Sequence, residues 1–216
     1  MNPWTHENLF YLTSDKKRIL KILDHYEVYK KILNIKGDIV ECGVFKGASL
    51  IRFLTFRDLI EKKDKRKIIG FDAFGKFPHP KNDYKNKKAD SVFAKRHDDK
   101  IGLGISINLL KKYLKKKKLS NYELIKGNVL HTLPNYLKKN KKLKISLLHL
   151  DLDIFEPTKF VLETLYEKIS KRGIILFDDY THIKGATLAV DDFLKKKRLK
   201  IQKVSKNGRP FFIQKK

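Results

Sequence analysis

The chain has 216 residues and a formal net charge of +26, a length that suits one α/β domain. Hydrophobic residues make up 41%, enough for a real core, so the charge does not imply disorder. No apolar run reaches the roughly 18 residues of a membrane span. Trp4, His6, Glu7 and Asp15 stand where a signal peptide would be apolar, and the single cysteine, Cys42, excludes an internal disulfide and a multi-cysteine zinc site. A reducing cytoplasm is the expected compartment.

In chain order, residues 1–37 supply one or two leading helices, with Thr13-Ser14-Asp15 as a cap before Lys16 to Leu23. Short apolar runs at Ile39-Val40, Ile68 to Phe71, Tyr122 to Ile125, Ile145 to Leu150 and Ile174 to Phe177 read as buried strands. Helical spacing covers Ala48 to Glu61, Ile107 to Lys117, Leu133 to Lys139 and Thr158 to Lys171. This alternation predicts a Rossmann-like, doubly wound, mostly parallel sheet with helices on both faces. Leu199 to Val204 and Pro210 to Gln214, around Asn207-Gly208, predict a C-terminal antiparallel hairpin that brings the sheet to seven strands. Residues 1–216 form a single domain in this reading.

Lysine accounts for all but eight of the 50 basic residues. The clusters Lys62-Lys63, Lys115 to Lys118, Lys138 to Lys142, Lys171-Arg172 and Lys195 to Arg198 fall between a helix end and the next strand, where cations complement helix dipoles. Ligands of open parallel sheets bind at the opposite edge. One basic segment lies on that ligand edge: Lys76 to Lys100 holds eight Lys or Arg against four Asp. Residues 76–104 are therefore a candidate lid or acceptor loop.

The ligand edge itself is acidic. Strands end at Glu41, Asp72, Asp151 and Asp178-Asp179. The first is followed by Gly43, Gly47 and Ser49, a glycine-containing turn that lacks the GxGxxG fingerprint of dinucleotide folds. A carboxylate at the loop mouth suits a ligand with an ammonium group, and Asp72 is placed to take ribose hydroxyls. Nucleoside plus amine suggests S-adenosylmethionine. Period-two alternation puts Asp151 and Asp153 on one side if the strand persists, and converging carboxylates need a hard divalent cation such as Mg²⁺. His149 falls within the sheet, Cys42 packs at a strand end, and Phe74 either lines an adenine pocket or joins the core.

The segments DIVECGVFKGAS (Asp38 to Ser49), GFDAFGKFP (Gly70 to Pro78), LHTLP (Leu130 to Pro134), LDLDIFEPT (Leu150 to Thr158), GIILFDDY (Gly173 to Tyr180) and AVDDF (Ala189 to Phe193) resemble, in order, the macrocin O-methyltransferase family. The resemblance implies a class I methyltransferase that uses S-adenosylmethionine and Mg²⁺ to methylate a hydroxyl of a sugar: a nucleotide-linked sugar, a surface polysaccharide or a natural-product glycoside. Asp151, Asp178 and Asp179 match its metal ligands and Asp153 its general base, with His182 as an alternative base. Glu41, Gly43, Gly47 and Asp72 match the cofactor loop and ribose acid. Asn128 stands where many methyltransferases carry an acid near the adenine.

The partner expected is a small-molecule or sugar acceptor, with the basic 76–100 segment suiting an anionic one; a homo-oligomer is compatible with the sequence. Two rivals remain. A nucleic-acid methyltransferase or basic nucleic-acid-binding module would use Lys76 to Lys100 on phosphates. An NAD-dependent oxidoreductase shares the β-α-β start but leaves the aspartate cluster unexplained.

Overall fold

A computed structural model describes residues 2–61, 66–80, 82–84 and 86–216; the Lys62-Lys63 cluster lies outside the described residues. Two helices, α1 (Pro3–Thr13) and α2 (Lys16–Ile32), lead into strand β1 (Asp38–Cys42). Asp15 caps α2 as expected, its carboxylate accepting from Lys17 N at 2.7 Å. There follow α3 (Ala48–Ile60), β2 (Ile68–Asp72), α4 (Lys87–Lys100), α5 (Ile107–Lys116), β3 (Tyr122–Lys126) and α6 (Val129–Lys139). The chain continues through β4 (Ile145–Leu150), α7 (Phe155–Leu165), β5 (Ile169–Phe177), α8 (Lys184–Lys197), β6 (Gln202–Lys203) and β7 (Phe211–Gln214).

The seven strands form one sheet in the order β3-β2-β1-β4-β5-β7-β6. All pairs are parallel up to β5, and β7 then runs antiparallel to both β5 and β6. Alternation along the strands divides the core into two layers. Val40, Leu148 and Phe177 pack under α6, α7 and α8, while Ile39, Leu147 and Leu176 pack under α2, α3 and α5. Strand order reverses beside β1, where Cys42 pairs with Phe71 on one side and Leu150 on the other. That reversal opens the crevice in which such folds bind ligands.

The structure departs from the sequence reading in four places. Helix α6 begins at Asn128, which caps it by accepting from Leu130 N at 3.0 Å, so Pro134 lies inside the helix. Helix α7 ends at Leu165, and Lys171-Arg172 belong to an exposed irregularity within β5, where Arg172 has φ +64°. The hairpin keeps only two residues in β6, and its connection closes through Val204 N to Pro210 O. The basic segment after β2 holds a fourteen-residue helix, α4.

Helix α4 is fixed to the body by Asp90. This buried carboxylate accepts from the Tyr84 hydroxyl (2.9 Å), Asn86 Nδ2 (2.8 Å) and the backbone N of Phe155 (2.8 Å) at the start of α7. After α4 the chain is pinned to the loops that follow β2 and β1: Gly104 N donates to Gly75 O and Ile105 N to Phe45 O. Phe93 and His97 of α4 pack on Phe77 beneath the helix.

Candidate active site

Beyond the strand C-termini, under α4, lies a cavity of about 410 Å³, a size suited to a small ligand. Its floor is made by the β1 and β2 ends. Gly43 has φ +94°, and a Cβ there would fall 1.8 Å from the carbonyl oxygen of Asp151, so only glycine lets the first loop cross this close to the β4 end. Asp72 lines the cavity, but both its oxygens also hold backbone: Oδ2 accepts from Val44 N and Phe45 N at 2.8 and 2.9 Å, and Oδ1 accepts from Phe74 N at 2.5 Å. Asn128 lines the same wall.

The other members of the expected cofactor loop sit elsewhere. Glu41 is fully buried, with Oε1 2.9 Å from His149 Nδ1. Ser49 is buried in the first turn of α3, and Gly47 caps that helix in a left-handed conformation (φ +83°). None of these three lines the cavity. Phe74 joins the core layer under α3 and α5, and burial pushes the Cys42 thiol up, in keeping with a packing role.

The carboxylates divide into two groups. Ligand atoms of Asp151, Asp153 and Asp179 lie within 4.8 Å of one another, and all three residues line the cavity. Strand β4 ends at Leu150, so alternation does not bring Asp153 round; its left-handed backbone (φ +62°) does. Burial raises all three acids, and their mutual repulsion adds to it. Asp153 and Asp179 are pushed up to about 7, and Asp151 is also raised, by burial and then by the charges of Asp178 and Asp179.

Asp178 turns to the opposite side. Its Oδ2 lies 2.5 Å from Lys21 Nζ, and its Oδ1 is 3.6 Å from His149 Nε2 and 3.7 Å from His25 Nε2. Of the expected metal set, the structure therefore joins Asp151 and Asp179 with Asp153 and places Asp178 in a separate cluster with His25 and His149. Period two explains the split: Glu41 follows Ile39, His149 follows Leu147 and Asp178 follows Leu176, all on the α2–α3 face. That alternation was readable in the sequence.

The second cluster is a buried electrostatic staple. Burial alone would lower His149, but hydrogen bonding to Asp178 and Glu41 outweighs it and raises the imidazole to about 10. Burial lowers His25 to about 3, and its ring stacks on Phe53 with centroids 5.1 Å apart. Asp178 is held well below the usual carboxylate range because the histidine contacts and Lys21 outweigh its own burial. Neither histidine nor Lys21 stood out in the sequence as part of a charge network, since the contacts of Lys21 and His25 with Asp178 and of His149 with Glu41 join residues more than a hundred positions apart.

His182, the alternative base, is exposed on the loop after β5, with Nδ1 3.1 Å from the carbonyl oxygen of Tyr180 two residues earlier, and does not line the cavity. Two cations that do line it are Lys76 and Arg209, the latter from the β6–β7 connection. Lys88 is exposed and Lys87 pairs with Asp83 on the surface at 2.8 Å; neither lines the cavity, and Lys85 lies outside the described residues. None of the described helices is long and apolar enough to cross a membrane.

The donor set fits a hard cation, since all three converging side chains offer oxygen and Asp179 Oδ2 is buried without a hydrogen-bond donor. A curated relative from Streptomyces niveus, demethyldecarbamoylnovobiocin O-methyltransferase, is 26% identical over 164 residues, which cover 74% of this chain and 59% of the relative. The crystal structure of CalS11, calicheamicin methyltransferase, superposes with a TM-score of 0.74 at 25% identity over 96% of this chain and 83% of that one. The O-methyltransferase NovP shares the fold (TM-score 0.77, 21% identity, 90% of this chain and 79% of that one). The family model of macrocin O-methyltransferase matches residues 14–209, and the chain belongs to that family.

Proposed function

We propose that the chain is an S-adenosylmethionine-dependent O-methyltransferase that acts, with a divalent cation, on a hydroxyl of a sugar or sugar-containing metabolite. The observation that carries this reading is the convergence of Asp151, Asp153 and Asp179 in the cavity beside Gly43, in a chain of this family. S-adenosylmethionine brings a methyl carbon already activated by its sulfonium, and a divalent ion brings a Lewis acid that acidifies the acceptor hydroxyl.

The chain's own residues supply the rest. Gly43 lets the backbone approach the cofactor, and Asp72 holds the loop through Val44, Phe45 and Phe74 with one lone pair, on Oδ1, left for a ribose. Asp151 and Asp179 would hold the ion. Asp153, which burial and the charge of Asp151 raise in the ion-free site, stands beside them to receive the acceptor's proton. Helix α4 roofs the cavity and excludes water from the sulfonium. Lys76 and Arg209 support an acceptor that carries a phosphate, such as a nucleotide-linked sugar.

Mass spectrometry of metabolite extracts incubated with the protein, Mg²⁺ and isotopically labelled S-adenosylmethionine tests the activity, with labelled methyl on a sugar-containing product expected. Calorimetry tests the cofactor: S-adenosylhomocysteine binds and NAD does not, and the reverse preference overturns the reading. Replacing Lys76 and Arg209 with Ser lowers kcat/KM for an anionic acceptor while cofactor affinity stays near wild type; unchanged kcat/KM removes the phosphate from the proposal.

A further inference from the structure

At the strand-entry edge, the end of the sheet opposite the cavity, lies an open depression of about 630 Å³. Of the residues that line it nine are Lys or Arg, and one, Glu167, is acidic. Glu167 is already taken by Lys197 and Lys215 at 3.0 and 3.5 Å, and among the described residues only Lys30 of the nine has an acidic partner, Glu27 at 2.8 Å. Helices α2, α6 and α7 end at this edge, and their dipoles together amount to about −1.5 charges, which leaves most of the nine uncompensated.

Three connections meet around the depression and are tied to one another. Ser170 Oγ donates to Lys36 O at 2.7 Å, joining β5 to the α2–β1 connection, and Lys168 Nζ donates to Lys141 O at 3.0 Å, joining the entry of β5 to that of β4. Within β5 the pairing passes from Ile145–Ile169 to Leu147–Ile174, so Ser170 to Gly173 form an excursion against the single residue Ser146. The excursion brings Lys171 and Arg172 to the depression. Arg172 is held left-handed (φ +64°), its N donating to Lys215 O and its O accepting from Gln214 Nε2. Such a backbone is disfavoured for a residue with a Cβ, so regular pairing is given up at the point where two cations enter the depression.

Size and charge together identify the ligand. A concave site of this volume holds a small molecule, whereas a bilayer is flat and meets only the rim. A single nucleic-acid strand is held by stacking its bases on aromatic rings, and the described lining contains none. Cations converging on so small a volume call for several negative charges within a few ångströms of one another. Linked phosphates supply that density, with oxygens that accept charge-assisted hydrogen bonds. We propose that the depression is a second ligand site, which takes a compact chain of two or three linked phosphates about 17 Å of strand away from the cavity. With no ring to read a base, free triphosphate and the phosphates of a nucleoside triphosphate are equivalent to it.

The probe is inorganic tripolyphosphate, titrated calorimetrically into the full-length protein at about 0.15 M salt, where diffuse surface attraction is screened. One molecule per chain is expected, bound about tenfold or more tightly than monophosphate. The triple variant Lys36→Ser, Lys144→Ser, Arg172→Gly, whose glycine keeps the left-handed backbone, is expected to lose about tenfold or more in affinity, with far-UV circular dichroism and ligand-free Tm near wild type. Lys144→Glu alone, at an exposed residue, is expected to weaken binding in the same sense and reads the site independently of how the triple variant folds. Replacing Lys115 to Lys118 with Ser, outside the depression, is expected to leave the affinity near wild type. Absence of binding, several molecules per chain, or equal loss in this control overturns the site, since each marks attraction by net charge alone. ATP is expected to bind comparably and to lose as much in the triple variant; ATP affinity that the variant leaves unchanged overturns the equivalence and restricts the site to free polyphosphate. A duplex RNA that the triple variant no longer binds, with tripolyphosphate bound by neither protein, assigns the depression to nucleic acid and overturns the small-ligand proposal.

Discussion

Asp178 and Asp179 are neighbours in sequence that face opposite sides of the sheet, and their substitutions separate accordingly. Asp179→Asn removes one of the three carboxylates that converge in the cavity, and divalent-ion affinity measured by calorimetry is expected to fall by about tenfold or more. Asp178→Asn leaves those three in place, strips Lys21 of its counter-charge and removes one of the two carboxylates that hold His149, Glu41 being the other. Its main effect is expected on stability, a loss of about 3 kcal/mol in urea unfolding, because a buried ion pair broken on one side leaves an uncompensated charge. Equal loss of ion affinity in both variants would return Asp178 to the metal set. The raised acids also set a pH dependence. Asp153 and Asp179 titrate at about 7 in the fold against an ordinary 3.8, so the metal-free fold binds protons more tightly than the unfolded chain. Their contribution to stability is present below about pH 4 and is lost as pH rises through about 7. A divalent ion relieves the repulsion that appears on deprotonation, so the rise in Tm on adding Mg²⁺ is expected to be larger at about pH 8 than at about pH 5.5.

Helix α4 shows why an ordered element reads as a loop. Its interior anchor is a carboxylate, Asp90, and its apolar contacts are few, Phe93 and Ala94 among lysines and aspartates. A periodic apolar stripe, the signal that reveals helices, is therefore missing, and the three hydrogen bonds that replace it come from Tyr84, Asn86 and Phe155. Asp90→Ala leaves those donors without their acceptor. Limited proteolysis within residues 76–104 is expected to accelerate while circular dichroism of the remaining fold is retained. The parallel strands were legible for the opposite reason: Ile145 to Leu150 is buried at every position, the mark of a central strand covered on both faces. Asp153 was placed in the site by extending that strand; the structure puts it there by a left-handed turn that no alternation encodes.

Across the whole molecule the charges are segregated by the sheet's direction. Lys141, Lys142, Lys144 and Arg172 border a polar depression at the strand-entry side, whereas the converging acids lie at the strand C-termini. Order of elements along the chain was sufficient to expect this, since every parallel strand enters at one edge and leaves at the other. What sequence order does not encode is the set of long-range polar ties. Arg57 is fully buried and donates to the carbonyls of Ser120 and Asn121 at 2.7 and 2.9 Å, joining α3 to the turn before β3. Arg57→Ala is expected to cost about 3 to 5 kcal/mol in urea unfolding. Replacing Lys115 to Lys118 with Ser, on an exposed surface, is expected to weaken retention on heparin and leave cofactor affinity unchanged.

The crossing at Gly43 bears on how such a protein can be recombined. The first half of the sheet carries the loop that would cradle the nucleoside, and the second half carries the converging aspartates; the two meet where Gly43 leaves no room for a methyl group beside Asp151 O, with Asp151 N bonded to Cys42 O at 2.9 Å. A chimera that takes residues up to the β3–α6 region from one homologue and the remainder from another must therefore preserve this single contact to sub-ångström tolerance. The two halves are exchangeable only between parents whose backbones agree at that point, however freely their acceptor-facing side chains diverge.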